Sequence, residues 1–331
     1  MTRLQETKKN RIIPTFRALA VLFLLAGLLY FALRNAPLAD IWATLNKLRL
    51  WQIFILLGIN ILIYLLITLR WWLILRAENK RISFLPLLAI RISAFGISYF
   101  TLGPQVGGEP LQVLYLERKY GMTYTRATST VVLDKLLEFL ANFILLSVGL
   151  TAIFQAGVLS TTDGSSFLSL LGLIILLLWP PIHVVLLYRG KYPVSTFLRK
   201  FSNNKAIRFI AASERLAGIF CHRHLSSLLT AIAVSILGAI GMISEYFMMT
   251  SFLGIHLSFW QTIAAWTAGW LAFLIPLPGG LGALEASQVF AFSTFGISAA
   301  SAVGVALLIR ARDLLIGGLG LLIAGREVNK E

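Results

Sequence analysis

Ten ionisable side chains sit inside strongly apolar stretches of this 331-residue chain: Arg91, Glu109, Asp134, Lys135, Glu138, Glu245, Glu285, Arg310, Arg312 and Asp313. A charged group at the centre of a membrane helix costs about 2.5–3.5 kcal/mol on insertion scales, so each needs a partner, a water-filled cavity or a function. Lys135, Glu138 and Asn142 are spaced i, i+3, i+7 and share one helix face, with Asp134 one turn from Glu138. Arg310 and Asp313 repeat the base–acid i, i+3 spacing. Two chemistries fit. Local ion pairs would brace the helices; alternatively the bases hold an anionic headgroup in a hydrophilic cavity while the acids balance charge or carry protons. Arg91 has no neighbouring acid and lies near the start of its apolar run, where snorkelling to the interface is the alternative. Glu109 and Glu285 each follow a Gly-Gly pair and open a short helix, whose N-terminus favours negative charge. Glu245 has no counterpart in this pattern.

Other site chemistries find no support. There is no phosphate-binding glycine loop and no serine nucleophile elbow. His183, His222, His224 and His256 are not spaced with acids as metal ligands, so neither a metal nor a cofactor is expected.

The elements that must position these residues follow from composition. Apolar residues make up 58% of the chain and charged ones 13%, with a mean hydropathy of +0.82. Soluble domains carry about 25% charged residues, so this composition excludes a soluble globular domain and a disordered chain. One cysteine, Cys221, excludes an internal disulfide framework. Runs long enough to span a membrane fall at about 17–34, 50–69, 84–102, 128–154, 167–188, 225–252, 257–277 and 297–323. The chain is therefore expected to be an all-α integral membrane protein with about eight hydrophobic helices. The first run is long and lacks a small-residue cleavage site, so it is read as a retained helix.

The net charge of +15 could point to nucleic acid, but its distribution points to topology. Of the 29 basic residues, 22 lie in the tail 1–16 and at Arg17, after the second span (Arg70, Arg76, Lys80, Arg81), in 118–126, in the loop 189–223 and in the tail 326–331. Only Arg34, Lys47 and Arg49 fall on the opposing side. The positive-inside rule then puts both termini in the cytoplasm of a multi-pass cell-membrane protein. Nucleic acid is excluded as a partner, and the loop 189–223 reads as a basic amphipathic surface near anionic lipid.

With Arg81 and Arg118 on one side, the chain between them must enter the membrane and return. Gly103, Pro104, Gly107 and Gly108 mark the break of such a re-entrant hairpin. Pro278, Gly279, Gly280 and Gly282 mark a second one, entering from the opposite side. Irregular backbone at that depth requires protein or a cavity to satisfy it. The residues after the two breaks match in kind at one offset of 175: Gly121 with Gly296, Lys135 with Arg310, Glu138 with Asp313. Glu109 and Glu285 are 176 apart. Two inverted units are expected, at about 84–154 and 257–323 within a membrane domain of 17–325, an arrangement that points to a transporter site near the midplane.

These residues carry a resemblance. Gly107-Gly108-Glu109-Pro110, Tyr120-Gly121 and Thr130–Glu138 look like the first signature of the flippase-like membrane domain of lysylphosphatidylglycerol synthetases. Residues Pro276 to Glu285, with Gly296 and Arg310, resemble its second. The resemblance implies translocation of an anionic, aminoacyl- or glycosylated lipid between leaflets. It implies no aminoacyl transfer by this chain, because residues 325–331 leave no room for the soluble synthetase domain; a separate lipid-modifying enzyme would be a partner. Gln112 stands where related sequences often carry a basic residue, which leaves headgroup preference open. A membrane-embedded transferase and a proton- or ion-coupled solute transporter are the alternative functions; oligomeric state is not readable.

Overall fold

The structure, a computed structural model, describes residues 38–77, 82–101, 107–155, 174, 178–201, 204–275 and 277–328. The expected tail 1–16, the first span, the hinge residues Gly103 and Pro104 and the span at 167–188 up to residue 177 lie outside the described residues, except for Ile174.

Among the described residues every element is helical. The helices are α1 (Leu38–Leu45), α2 (Leu50–Ala77), α3 (Phe84–Phe100), α4 (Glu109–Tyr120), α5 (Tyr124–Gln155), α6 (Leu178–Tyr188), α7 (Pro193–Arg199), α8 (Lys205–Arg223), α9 (Leu225–Phe252), α10 (Phe259–Ala272), α11 (Ala283–Thr294) and α12 (Ala299–Val328). Two of them, α2 and α9, are long and apolar enough to cross a membrane. Their outward residues Phe54, Ile61, Leu229 and Leu237 are more than half exposed, as side chains facing lipid would be. The longer α5 and α12, of 32 and 30 residues, are interrupted midway by charges, which is why their apolar character falls short of that of α2 and α9.

The bounds recur at a constant offset. Adding 175 to Leu50–Ala77 gives Leu225–Phe252, so α2 maps onto α9. The same shift carries α3, α4 and α5 onto α10, α11 and α12 to within three residues at every end. It also carries Gly121 onto Gly296, both with positive φ (61° and 72°), each just past the end of its short helix.

The equivalent helices α2 and α9 pack on one another. Asn60 meets Glu245, Ile63 meets Gly241 and Ile67 meets Gly238, so numbers rise along one helix as they fall along the other and the pair is antiparallel. Two further antiparallel pairs join the units. In α3–α12, Ile92 lies against Gly320 and Phe100 against Gly317; in α5–α10, Gly149 lies against Thr267 and Phe143 edge-on to Trp270 at 5.5 Å. Glycine lets these backbones approach. The main core joins α5, α9, α10, α11 and α12 through Phe143, Leu146, Trp266, Trp270, Leu284 and Phe292. Smaller clusters pack α2–α5 internally around Trp71 and Leu116, and hold α6 and α8 against α5 through Leu187 and Phe220.

Within the basic stretch 189–223, α8 buries Ala211, Glu214, Ala217 and Phe220 and exposes its bases. Glu214 accepts hydrogen bonds from the N–H groups of Val194 (3.0 Å) and Ser195 (2.8 Å) and lies 3.2 Å from His183 Nε2. Burial alone would raise its carboxyl pKa; these hydrogen bonds outweigh burial and hold it below the usual carboxylate range.

Candidate functional site

The charged residues of the apolar helices converge into two clusters. In the first, bases and acids alternate along one chain of contacts. Arg91 Nη2 donates to Asp134 (2.6 Å), which also receives Arg70 Nε (2.7 Å); Arg70 Nη2 reaches Glu138 (3.1 Å). Glu138 also accepts from Lys135 (3.2 Å), whose Nζ lies 3.6 Å from Glu109. Three bases thus meet three acids, and the cluster is formally neutral. Such pairing is what makes burial of these groups tolerable, since an unpaired charge in this setting costs several kcal/mol.

In the second cluster Arg310 binds both oxygens of Glu285 and donates to the carbonyls of Gly279 (3.0 Å) and Gly280 (3.3 Å). Arg312 bridges Glu245 (Nη1, 2.7 Å) and Asp313 (Nε, 2.9 Å), and Asn60 donates to Glu245 at 3.0 Å.

Both breaks are built alike. Glu109 accepts from the N–H of Gly107 (2.8 Å) and Glu285 from that of Gly282 (3.1 Å), and both glycines have positive φ. The acid at the start of the short helix takes the base of the following long helix in each unit: Lys135 for Glu109, Arg310 for Glu285. Gly108 is required for contact: a Cβ there would lie 2.2 Å from the carbonyl oxygen of Ala94. Pro278, Gly279 and Gly280 form a single tight turn.

Four expectations need correction. Arg310 and Asp313 do not form a local pair, although Lys135 and Glu138 do. A guanidinium offers five donors, and the break supplies Arg310 with a carboxylate and two carbonyls on one side. Asp313 is taken instead by its neighbour Arg312. Arg91 does not snorkel; it is 8% exposed, bound to Asp134 and to the carbonyl of Ile67. Arg70, read as a loop base, lies inside α2, which continues to Ala77, and is 2% exposed. Glu245 does have a counterpart, because subtracting 175 gives Arg70. The repeat was visible in the sequence, but a comparison by residue kind passes over a position whose charge is reversed.

Two adjoining cavities open between the clusters, sharing Tyr64, Ile67, Phe95 and Glu138 as common wall. One, of about 90 Å³, is lined by Arg91, Glu109, Gln112, Asp134 and Lys135. The other, of about 190 Å³, is lined by Asn60, Glu245, Arg312 and Asp313 with a broad aromatic wall including Tyr246, Trp266 and Trp270. The charged side chains of both cavities are engaged in ion pairs, so a headgroup that takes one of those pairs must exchange partners with it. Lys135, with 22% of its side chain exposed, is the most accessible base of the first cluster. Among the described residues no group of three metal-ligating side chains occurs.

Residues 17–320 match the protein family described as the lysylphosphatidylglycerol synthase TM region. A UPF0104 membrane protein of Pyrococcus horikoshii is 26% identical over 304 residues, spanning 83% of this chain and 88% of the relative. No solved structure matches the chain.

Proposed function

The chain belongs to the lysylphosphatidylglycerol synthase transmembrane-region family and is a membrane protein, and on that premise we propose that it moves an amphipathic lipid across the cell membrane. The observation that carries this reading is the pair of adjoining cavities whose largely apolar walls carry charged residues of both four-helix units, a mixed lining that suits a headgroup attached to hydrocarbon tails. Ionisable groups in a hydrocarbon setting are costly even when paired, and where they face a cavity they commonly mark a ligand or ion pathway. The lipid headgroup, anionic, aminoacylated or glycosylated, crosses through the cavities while its tails stay in the bilayer.

Alternating access is the motion the proposal requires. Antiparallel packing of α2 on its equivalent α9 is the relation expected if one unit is inverted against the other in the membrane plane. The short helices α4 and α11 would be the moving parts, each tied to the long helix that follows by one ion pair, Glu109–Lys135 or Glu285–Arg310. The proposal places both termini in the cytoplasm and assigns the chain no catalytic step; a lipid-modifying enzyme would act before or after it.

The test is leaflet exchange in liposomes holding the purified full chain and a panel of labelled phospholipids, aminoacyl lipids and glycolipids. The expected result is faster exchange of at least one lipid, reduced in Lys135→Gln and Glu285→Gln. No acceleration for any lipid, with or without an ion gradient, overturns the proposal.

A further inference from the structure

Matched at their offset of 175, the two units differ in charge. In the first unit, positions 70 and 138 are Arg and Glu and touch directly at 3.1 Å. Their equivalents, 245 and 313, are Glu and Asp, two acids facing one cavity. Arg312 lies between them and serves both, at 2.7 Å and 2.8 Å. Residue 137, its own equivalent in the first unit, is a leucine. Two carboxylates thus share one guanidinium, and the triad carries a formal charge of −1 in a site where Glu245 is 1% and Asp313 4% exposed.

The surrounding groups do not remove that charge. From α2 come Asn60 and Tyr64, both uncharged, and from α9 the phenol of Tyr246, which is bonded to Gln288. From α5 comes Glu138, already held by Arg70 and Lys135. From α3, the phenol of Tyr99 is uncharged. On α12, Arg310 is committed to Glu285 of α11 and to two carbonyls. Helix α10 contributes only uncharged side chains to this cavity.

The oxygens show where a compensating charge would go. Both oxygens of Glu245 are engaged, one by Asn60 and one by Arg312. Both nitrogens that Arg312 offers to Asp313 converge on Oδ1, and Oδ2 makes no hydrogen bond among the described residues although Asp313 lines the cavity. An unpartnered carboxylate oxygen on a buried, net-negative triad is an acceptor for one positive charge.

We propose that the Glu245–Arg312–Asp313 triad is a proton-binding site that couples translocation to the proton gradient, Asp313 Oδ2 taking one proton from cavity water and returning it when the cavity opens to the other side. Uptake breaks one O–H bond of a hydronium ion in the cavity, leaving water, forms one O–H bond on Oδ2 and brings the triad from −1 to neutral; release to water on the other side reverses both and restores the charge. The coupling rests on the flippase reading, whereas the proton site does not.

Infrared spectra of the purified full chain, titrated in pH, test the site itself. The expected result is a protonated carboxylic-acid carbonyl band in the wild type that is lost in Asp313→Asn and in Glu245→Gln, each of which leaves a neutral pair with Arg312. Asp313→Glu should retain it. Absence of a titrating protonated carboxyl band in the wild type overturns the proposal even if neither variant folds. So does its persistence in both variants. In liposomes, lipid exchange should respond to an imposed pH gradient in the wild type and lose that response in Asp313→Asn. A response to a sodium gradient but not to a pH gradient overturns proton coupling. If no lipid moves at all, the flippase reading falls while the infrared result still decides the proton site.

Discussion

Replacing Arg70 tests the most consequential difference between a linear and a spatial reading of this chain. As a loop base at the membrane surface, Arg70 would be worth about 0–1 kcal/mol. In the structure it is 2% exposed and holds Asp134 by two bonds (2.7 and 3.2 Å) and Glu138 by a third (3.1 Å). Removing one partner of a buried ion pair costs about 3–5 kcal/mol, because a charge is left uncompensated. Here neither acid is wholly stranded: Asp134 keeps Arg91, and Glu138 keeps Lys135. Arg70→Gln is therefore expected near the lower limit, about 3 kcal/mol. Asp134→Asn should cost more, about 5 kcal/mol, since Arg91 would keep only the carbonyl of Ile67 and a neutral amide. Arg76→Gln, on the exposed last turn of the same helix with its guanidinium 4.7 Å above Trp72, is the control. It should cost about 0.5–1 kcal/mol. Equilibrium unfolding in mixed micelles measures all three, and a double-mutant cycle of Arg70 with Asp134 should return a coupling of about 0.5–3 kcal/mol. If Arg70→Gln costs no more than Arg76→Gln, Arg70 is not in the interior and the first cluster is wrongly assembled.

The same geometry sets three further outcomes. Gly320→Ala would put a Cβ 2.2 Å from the carbonyl oxygen of Ile92 and push α3 from α12, costing about 1–3 kcal/mol, whereas Gly318→Ala meets nothing within 4 Å and should be neutral or stabilising; thermal melts of the pair check this. Arg310→Gln removes the bonds that hold Gly279 and Gly280, so a cysteine introduced at Leu281 should react faster with a water-soluble thiol reagent than in the parent; equal rates would refute that anchoring role. Glu214 has a folded-state pKa depressed below its unfolded value, so its contribution is present above about pH 4.3 and is lost as pH falls through the lower folded value. Unfolding measured across that acid window should show a slope in the wild type that Glu214→Gln flattens; identical slopes would refute the assignment.

The sequence was most informative where one residue type can do one job. An apolar run of the length of 225–252 can only be buried or face lipid, and α9 occupies that range (Leu225–Phe252). An acid shortly after a Gly-Gly pair, twice at nearly one offset, pointed to Glu109 and Glu285, and in the structure each accepts from a glycine N–H of its break, Gly107 two residues before and Gly282 three before. The base that each acid holds was legible too, through the matched positions of Lys135 and Arg310, but not the pairing. Spacing along a helix proposes i, i+3 partners, and it is equally satisfied by Lys135–Glu138, which forms, and by Arg310–Asp313, which does not.

By itself the sequence determined the helical class, the membrane-compatible apolarity, a repeat at an offset of 175 and most, though not Arg70, of the residues that carry charge in apolar surroundings. These depend on composition and on periodicity along the chain. Only the tertiary structure decided which charges meet, because ion pairing acts across helices at about 3 Å and takes whichever donor the packing delivers. Arg70 shows this. In the sequence it falls just past the apolar run 50–69, but two acids 64 and 68 residues away make it the centre of a buried chain of charges. Its charge-reversed equivalent, Glu245, shares Arg312 with Asp313 for the same reason: α9 is packed against α2 and near α12, and no spacing rule along one helix can express that.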